Sequence, residues 1–241
     1  MLKVLSVFGT RPEAIKMSPV VKELERYPER FKSIVCVTAQ HRQMLDQVLN
    51  LFEIRPDYDL DIMMPAQDLF DVTCNVLHRL KPVLEVERPY IVLVHGDTTT
   101  TMAASMAAYY CKTRVGHVEA GLRTHNKFAP FPEEMNRRVA GAFADMHFAP
   151  TDAARQNLLR EGVDDKAIFV TGNSVIDALL SVSNKIDNSP ELKSKLEVEF
   201  SFLDLGRKLI LVTGHRRENF GGGFENICHA LAEIAHTHPE V

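Results

Sequence analysis

Short runs of Val, Ile and Leu, unbroken by alternating polar residues, constrain the fold of this chain more than any other feature. They fall at residues 2–8, 34–37, 90–94, 115–118 and 168–170. A strand with one wet face alternates apolar and polar residues; a continuous run means that both faces are covered, as in a parallel sheet flanked by helices. Between the runs the spacing changes to that of helices. In residues 13–25, Ala14, Met17, Val21 and Leu24 fall along one stripe, and residues 68–87, 99–111, 153–161 and 175–182 behave similarly. Alternation of strand and helix predicts an α/β fold with right-handed crossovers around a parallel sheet.

With 241 residues, 45% hydrophobic and 25% charged, the chain holds enough apolar material for one large domain or two modest ones. A formal net charge of −4 argues against general attraction to nucleic acid or anionic membrane, so any anion site must be local. No run approaches the roughly 20 residues that cross a bilayer, and the opening MLKVLSVFGTRPEA lacks the small-residue cleavage signature of a leader. Cys36, Cys74, Cys111 and Cys228 form no CxxC pair or metal-ligand spacing and read as buried free thiols in a reducing compartment. A cytoplasmic protein is expected.

Residues 183–208 are rich in charge and contain Pro190 and Gly206, which reads as a linker that is partly helical over 192–198. The domain organisation predicted is therefore 1–182, a linker at 183–208, and a single βα unit at 209–241, with a strand at 209–213 and a helix near 224–235. A unit that small cannot supply its own core.

Ligands of a doubly wound sheet sit beyond the carboxyl ends of the strands, so the chemistry is sought in the turns that follow them. In FGTRPEAIK, Thr10 and Glu13 have capping-box spacing and Pro12 suits a first helical turn. Arg11 and Lys16 oppose the helix dipole there, an arrangement that a bound anion would reverse. In IVLVHGDTTTTMAASMAA, Asp97 reads equally as a helix cap or a catalytic carboxylate. Glu119 closes a strand and has no such structural excuse, since an acid there needs a partner or water. The loop that follows, with Arg123, His125 and Lys127, has no hydrophobic period and is long enough to be functional. It leads to a helix near Glu133, where Glu133 and Glu134 suit a helix N-terminus and Glu134 is read as no more than that. Finally, His215, Arg216, Arg217 and Glu218 precede Gly221 to Gly223 in a turn suited to phosphate. His41 could join a site at a strand end, whereas His78, His147, His229, His236 and His238 read as helix-surface or core positions. No metal pattern is present, and no catalytic metal is expected.

Taken together, VFGTRPEAIKM, VTAQHRQMLDQV, LVHGDTTTT, GHVEAGLRT, PFPEEMNRR, FVTGNSVIDAL and VTGHRREN resemble the non-hydrolysing UDP-N-acetylglucosamine 2-epimerase family, in its order and spacing, over almost the whole chain. The resemblance implies a GT-B-type architecture, two Rossmann-like halves facing each other across a cleft. The first half is matched by residues 1 to about 180; most of the second, including a later DSGG…EE segment and a returning terminal helix, is expected to be missing. It implies interconversion of UDP-N-acetylglucosamine and UDP-N-acetylmannosamine through loss and return of UDP, by way of a 2-acetamidoglucal, without a cofactor.

By motif, Asp97, Glu119 and Glu133 match the family's catalytic acids, and His215 matches its histidine beside the leaving diphosphate. Arg11 and Lys16 match cationic positions at the nucleotide-sugar cleft, with Arg216 an addition. Gln40, His41 and Gln43 would contribute to a regulatory site for UDP-N-acetylglucosamine. The resemblance further implies a homodimer whose product commonly feeds cell-surface polysaccharide, and weak or absent turnover by these 241 residues alone. Two other readings stand beside it: a non-catalytic truncated relative that binds nucleotide or another chain, and a GT-B glycosyltransferase.

Overall fold

The computed structural model describes residues 1–39, 42–204, 206–213, 222–238 and 240. The chain divides into two compact units, Met1–Ser183 and Asn184–Val241.

The first unit is built on seven strands: β1 (Leu2–Phe8), β2 (Phe31–Val37), β3 (Tyr58–Asp59), β4 (Ile91–His95), β5 (Arg114–Val118), β6 (Met146–Ala149) and β7 (Ile168–Val170). Their order is β3-β2-β1-β4-β5-β6-β7, and every pair is parallel. The chain therefore builds outward from β1 to β3, then returns beside β1 at β4 and builds outward the other way. The crevice between the carboxyl ends of β1 and β4 is the switch point at which such folds receive ligands.

Helices α1 (Arg11–Glu25), α2 (Arg42–Leu51), α3 (Leu69–Glu87), α4 (Thr99–Tyr110), α5 (Glu133–Phe143), α6 (Asp152–Arg160) and α7 (Ser174–Asp187) complete the alternation. The pleat sorts the strand residues. Val4, Phe8, Val35, Val37 and Leu93 pack with Ala14, Met17 and Val21 of α1 and Leu45 of α2. Leu5, Val7, Val92, Val94 and Val115 face the other way, onto Val76 and Leu80 of α3 and Ala104 and Ala108 of α4. Both faces are thus dry, which is why the runs do not alternate. In α4, Ala103, Ala104, Ala107 and Ala108 are all buried, and their small side chains let this helix lie close to the sheet.

Five of these strands coincide with the predicted runs. The other two, β3 and β6, lack the signature: β3 has two residues, and β6 reads MHFA, with a buried His147 in the middle. The expected burial of all four cysteines is corrected. Cys36 is buried in β2 and Cys111 is half-buried, but Cys74 and Cys228 are exposed. Cys74 lies between the buried Val72 and Val76 on α3, so the helical period turns it to solvent.

In the second unit, α8 (Pro190–Glu199) starts at the N-cap Ser189, and the other described helix is α9 (Gly222–Thr237). Residues 209–213 form no strand, contrary to expectation, and Leu209, Ile210, Leu211 and Val212 are exposed. A strand is a hydrogen-bonded pairing; an apolar run with no described neighbour to pair with does not become one.

At the β5 end, Gly121 has φ +88°, and a Cβ there would stand 2.3 Å from the carbonyl oxygen of Ala154. Gly121→Ala is expected to cost at least about 2 kcal/mol, from the left-handed backbone and the backbone clash together. Urea unfolding measures this, and an unchanged midpoint would show that the two segments separate freely.

Candidate active site

The two loops of the switch point are joined through one carboxylate. Glu13, 2% exposed, sits one turn into α1. Its Oε2 accepts the amides of Gly9 and Thr10 at 3.0 and 2.8 Å, the latter being one arm of a capping box. Its Oε1 accepts the hydroxyl of Thr98, the N-cap of α4, at 2.6 Å. Burial raises its pKa above the ordinary value, against the hydrogen bonds from Thr98, Gly9 and Thr10. Beneath it, a Cβ at Gly9 would meet Thr38 Oγ1 at 1.9 Å, so only glycine lets β1 leave the sheet this close to β2.

Lys16 lies two turns into α1 and reaches across to Glu119, immediately after β5. Nζ and Oε2 are 2.6 Å apart, with side chains 23% and 11% exposed. The cation that opposed the helix dipole in the sequence is therefore answered by an acid 103 positions away. Asn173, after β7, donates to the same Oε2 at 2.9 Å. Glu119 itself has φ +62°, a left-handed backbone that a non-glycine residue adopts only when its surroundings hold it there. His95, the last residue of β4, points Nε2 at the same oxygen from 3.9 Å.

On the other side of the β4 turn lies Asp97. The N-cap of α4 is Thr98, whose hydroxyl accepts the Thr101 amide at 3.1 Å, so the cap reading of Asp97 falls away. Three groups hold Asp97 instead. Arg137 NH2 meets its Oδ2 at 2.6 Å, Asn136 Nδ2 donates to its carbonyl at 2.9 Å, and the preceding carbonyl, that of Gly96, accepts His117 Nε2–H at 2.7 Å. A carbonyl only accepts, so the His117 proton is on Nε2. Burial first, then the charges nearby, push the His117 pKa down to about 3, and His95 likewise, through burial and the charge of Lys16. Both rings are neutral at physiological pH.

Arg137 also pairs with Glu134 at 3.2 Å. Glu134 is more than a helix-terminal charge: it is fully buried and accepts the amides of Thr124 and His125 at 3.0 and 3.1 Å. Burial alone would raise its pKa, but those amides and Arg137 outweigh it and hold the carboxyl below the usual range. Next to it, Glu133 is half-buried, and its Oε2 is shut away from solvent with no hydrogen-bond partner among the described residues. The root of the long loop is fixed a second time by Arg123, whose 1% exposed guanidinium pairs with Glu161 at 2.7 Å.

Of the residues singled out in the sequence, Lys16 and Glu119 are brought into contact, and Asp97 and Glu133 flank the Arg137–Glu134 pair. Arg11 is exposed in the first turn of α1 and makes no ion pair among the described residues; Gln43 is exposed near the start of α2. Gln40, His41, His215 and Arg216 lie outside the described residues. His95, His117, Asn136, Arg137 and Asn173 were missed. Arg137 follows Glu133 by one helical turn, which is a signal available in the sequence; the others depend on the topology. Among the described residues no group of three or more His, Cys, Asp or Glu side chains is placed to hold a metal ion.

A cavity of about 480 Å³ opens from Glu119 and Asn173 along α1 to Val20 and Leu24, walled by Val118 and Phe148. A larger groove of about 870 Å³ between α3 and α4 is bordered by Arg88, Pro89, Lys112 and Thr113. Those residues lead into the amino ends of β4 and β5, away from the acids, so the smaller cavity is the one that belongs to the site.

A Rossmann-like domain with acids and cations gathered at its switch point defines the class: an α/β protein with a doubly wound parallel sheet of the kind found in GT-B-type proteins. The profile described as UDP-N-acetylglucosamine 2-epimerase matches residues 22–241, and the chain belongs to that family of isomerases. It is 62% identical over 240 residues to the UDP-N-acetylglucosamine 2-epimerase of Yersinia pestis and 60% identical to that of Escherichia coli K12. In each case the alignment takes in the whole of this chain and 64% of the relative. The crystal structure of the Neisseria meningitidis enzyme bound to UDP-GlcNAc superposes with a TM-score of 0.93 at 52% identity, covering 99% of this chain and 64% of that one. An apo lipopolysaccharide outer core galactosyltransferase, 15% identical with a TM-score of 0.54, covers 71% of this chain and 46% of its own, a likeness of fold alone.

Glu134 gives the site a pH signature. Its folded pKa lies below the ordinary 4.5, so its stabilising contribution is complete above that value and fades as the pH falls through the folded one. Glu134→Gln is expected to cost about 3 kcal/mol near neutral pH by leaving Arg137 half-answered. Urea unfolding of both proteins should show the gap narrowing below about pH 4.5, and a gap that stays constant would contradict the assignment.

Proposed function

We propose that this chain supplies the first domain, and most of the acid/base groups, of an enzyme that interconverts UDP-N-acetylglucosamine and UDP-N-acetylmannosamine. The observation that carries the reading is the meeting of Lys16, Glu119 and Asp97–Arg137 at one switch point in a chain of the epimerase family. The UDP-GlcNAc to which the Neisseria meningitidis enzyme is bound is taken as the ligand of this site.

The chemistry requires both kinds of charge. A carboxylate takes the C2 proton while the C1–O bond breaks, and UDP leaves with the bonding electrons, giving the 2-acetamidoglucal. UDP then returns to C1 as a proton is delivered to the opposite face of C2. Asp97, Glu119 and Glu133 are the acid/base candidates, while Lys16, Arg11 and Arg216, with His215, answer the charge that grows on the diphosphate. Enclosure in a cleft keeps UDP from escaping before it returns. Residues 1–182 form the first Rossmann-like domain in this reading, 183–208 the linker and 209–241 the start of the second domain. Gln40, His41 and Gln43 contribute to a regulatory UDP-N-acetylglucosamine site.

The chain spans 64% of the length of the relatives it matches. The 241 residues alone are therefore expected to produce the mannosamine epimer slowly or not at all, which NMR of the incubated substrate measures; family-like turnover would overturn this. In a chain extended to the relatives' full length, Asp97→Asn and His215→Ala are each expected to lower kcat at least about 100-fold. Activity retained in either would remove that residue from the mechanism.

We infer also that the protein is a cytoplasmic homodimer. Phe70, Val86, Tyr109 and Tyr110 leave an apolar, aromatic surface exposed along α3 and α4. Light scattering is expected to give twice the chain mass, and a monomer at tens of micromolar would refute the pairing.

A further inference from the structure

His95 is 3% exposed, and neither of its ring nitrogens has a hydrogen-bond partner among the described residues. Buried polar atoms without a partner are uncommon, and each calls for an explanation. The aim of this ring is specific. Its Nε2 stands 3.9 Å from Glu119 Oε2, too far for a hydrogen bond.

What holds it off is occupancy. An ionised carboxylate oxygen offers about two lone pairs, and both of those on Oε2 are taken, by Lys16 at 2.6 Å and Asn173 at 2.9 Å. Of the two donors, Lys16 is the one that can leave. It is a flexible cation with 23% of its side chain exposed, and a phosphate oxygen competes for it directly. Asn173 is short and neutral, and its own Oδ1 is engaged by the Val175 amide at 3.1 Å.

We propose that His95 is a positioning residue for Glu119: when an anionic ligand draws Lys16 away, the Nε2–H of His95 takes the vacated lone pair of Oε2 and keeps the carboxylate aimed. The exchange rests on the reading above, in which the site receives a diphosphate. A closure of about 1 Å brings the ring within hydrogen-bond distance. The substitution is of a charged donor by a neutral one, so Glu119 keeps its geometry and loses its counter-charge. A buried acid without its cation is a stronger base than the same acid paired. The base is thereby unmasked only when the ligand that needs it is bound, and Lys16 serves both states.

The test separates the exchange from the ligand. In the 241-residue chain, Lys16→Met removes the competing donor with no ligand added, and the His95 ring is followed by 15N and 1H NMR of the imidazole groups. The expected result is a His95 Nε2–H proton that moves downfield by about 1 ppm or more relative to wild type and exchanges more slowly, as a new hydrogen bond requires. Lys16→Met/Glu119→Ala should abolish the change. A His95 signal identical in wild type and Lys16→Met, or a proton found on Nδ1, overturns the proposal. Inorganic pyrophosphate added to wild type should reproduce the Lys16→Met shift; a shift in the variant but none with pyrophosphate sinks the diphosphate reading and leaves the donor exchange standing.

Should Lys16→Met unfold, Lys16→Ala, which also removes the donor, reports in its place. In the full-length enzyme, His95→Leu is expected to lower kcat about 30-fold with KM changed less than about 3-fold, and His95→Gln, which restores a donor, to recover most of that loss. Equal losses in the two variants would reduce His95 to a packing role and overturn the assignment.

Discussion

The carboxylate of Glu13 is the contact on which the arrangement of the switch point depends. It binds two amides from the loop after β1 and a hydroxyl from the loop after β4, and so ties together the two segments that diverge there. Without it the crevice between β1 and β4 would be bounded by two independent turns. With it, the first turn of α1 and the N-cap of α4 form one rigid rim, and the side chains set on that rim inherit its geometry. Lys16 is one turn beyond Glu13 on α1, and Asp97 is the residue before Thr98. Both reach partners from β5 and α5 because their backbones are fixed relative to each other.

The fold was largely legible because burial on both faces leaves a continuous apolar run on β1, β2, β4, β5 and β7. What escaped notice did so for a physical reason. β6 is a central strand whose buried middle residue is a histidine, and no apolar scan assigns a strand to MHFA. Residues 209–213 carry the right composition but lack a described partner, and composition cannot supply one. The site was half legible. The residue types at the strand ends pointed to acid/base and anion chemistry, and of these Lys16 and Glu119 meet, while Asp97 pairs with Arg137. Pairings such as Lys16 with Glu119 or Arg137 with Asp97 join positions 103 and 40 apart, and only the strand order brings them together.

Three buried histidines, His95, His117 and His147, stand on the neighbouring strands β4, β5 and β6. His117 pairs with His147 in register, and His95 is one step further toward the carboxyl edge. A valine in any of these places would bury more cheaply. Burial keeps His95 and His117 neutral, and a neutral imidazole can donate to an oxygen without bringing a charge to a crowded electrostatic field. His117 uses that property to fix the carbonyl before Asp97.

The loop after Glu119 is anchored at its root by Arg123 on Glu161 and by the Thr124 and His125 amides on Glu134, while Phe128 and Phe131 at its far end are 67% and 62% exposed. A segment clamped at both roots, with its aromatic crest exposed, separates two kinds of variation. Its crest can change length or composition, and so alter what the protein touches, without disturbing the backbone of the acids on either side. The Glu134 clamp has no such freedom, since that carboxylate also pairs with the Arg137 that holds Asp97. Divergence among proteins built on this frame should therefore concentrate in the crest and spare its hinges.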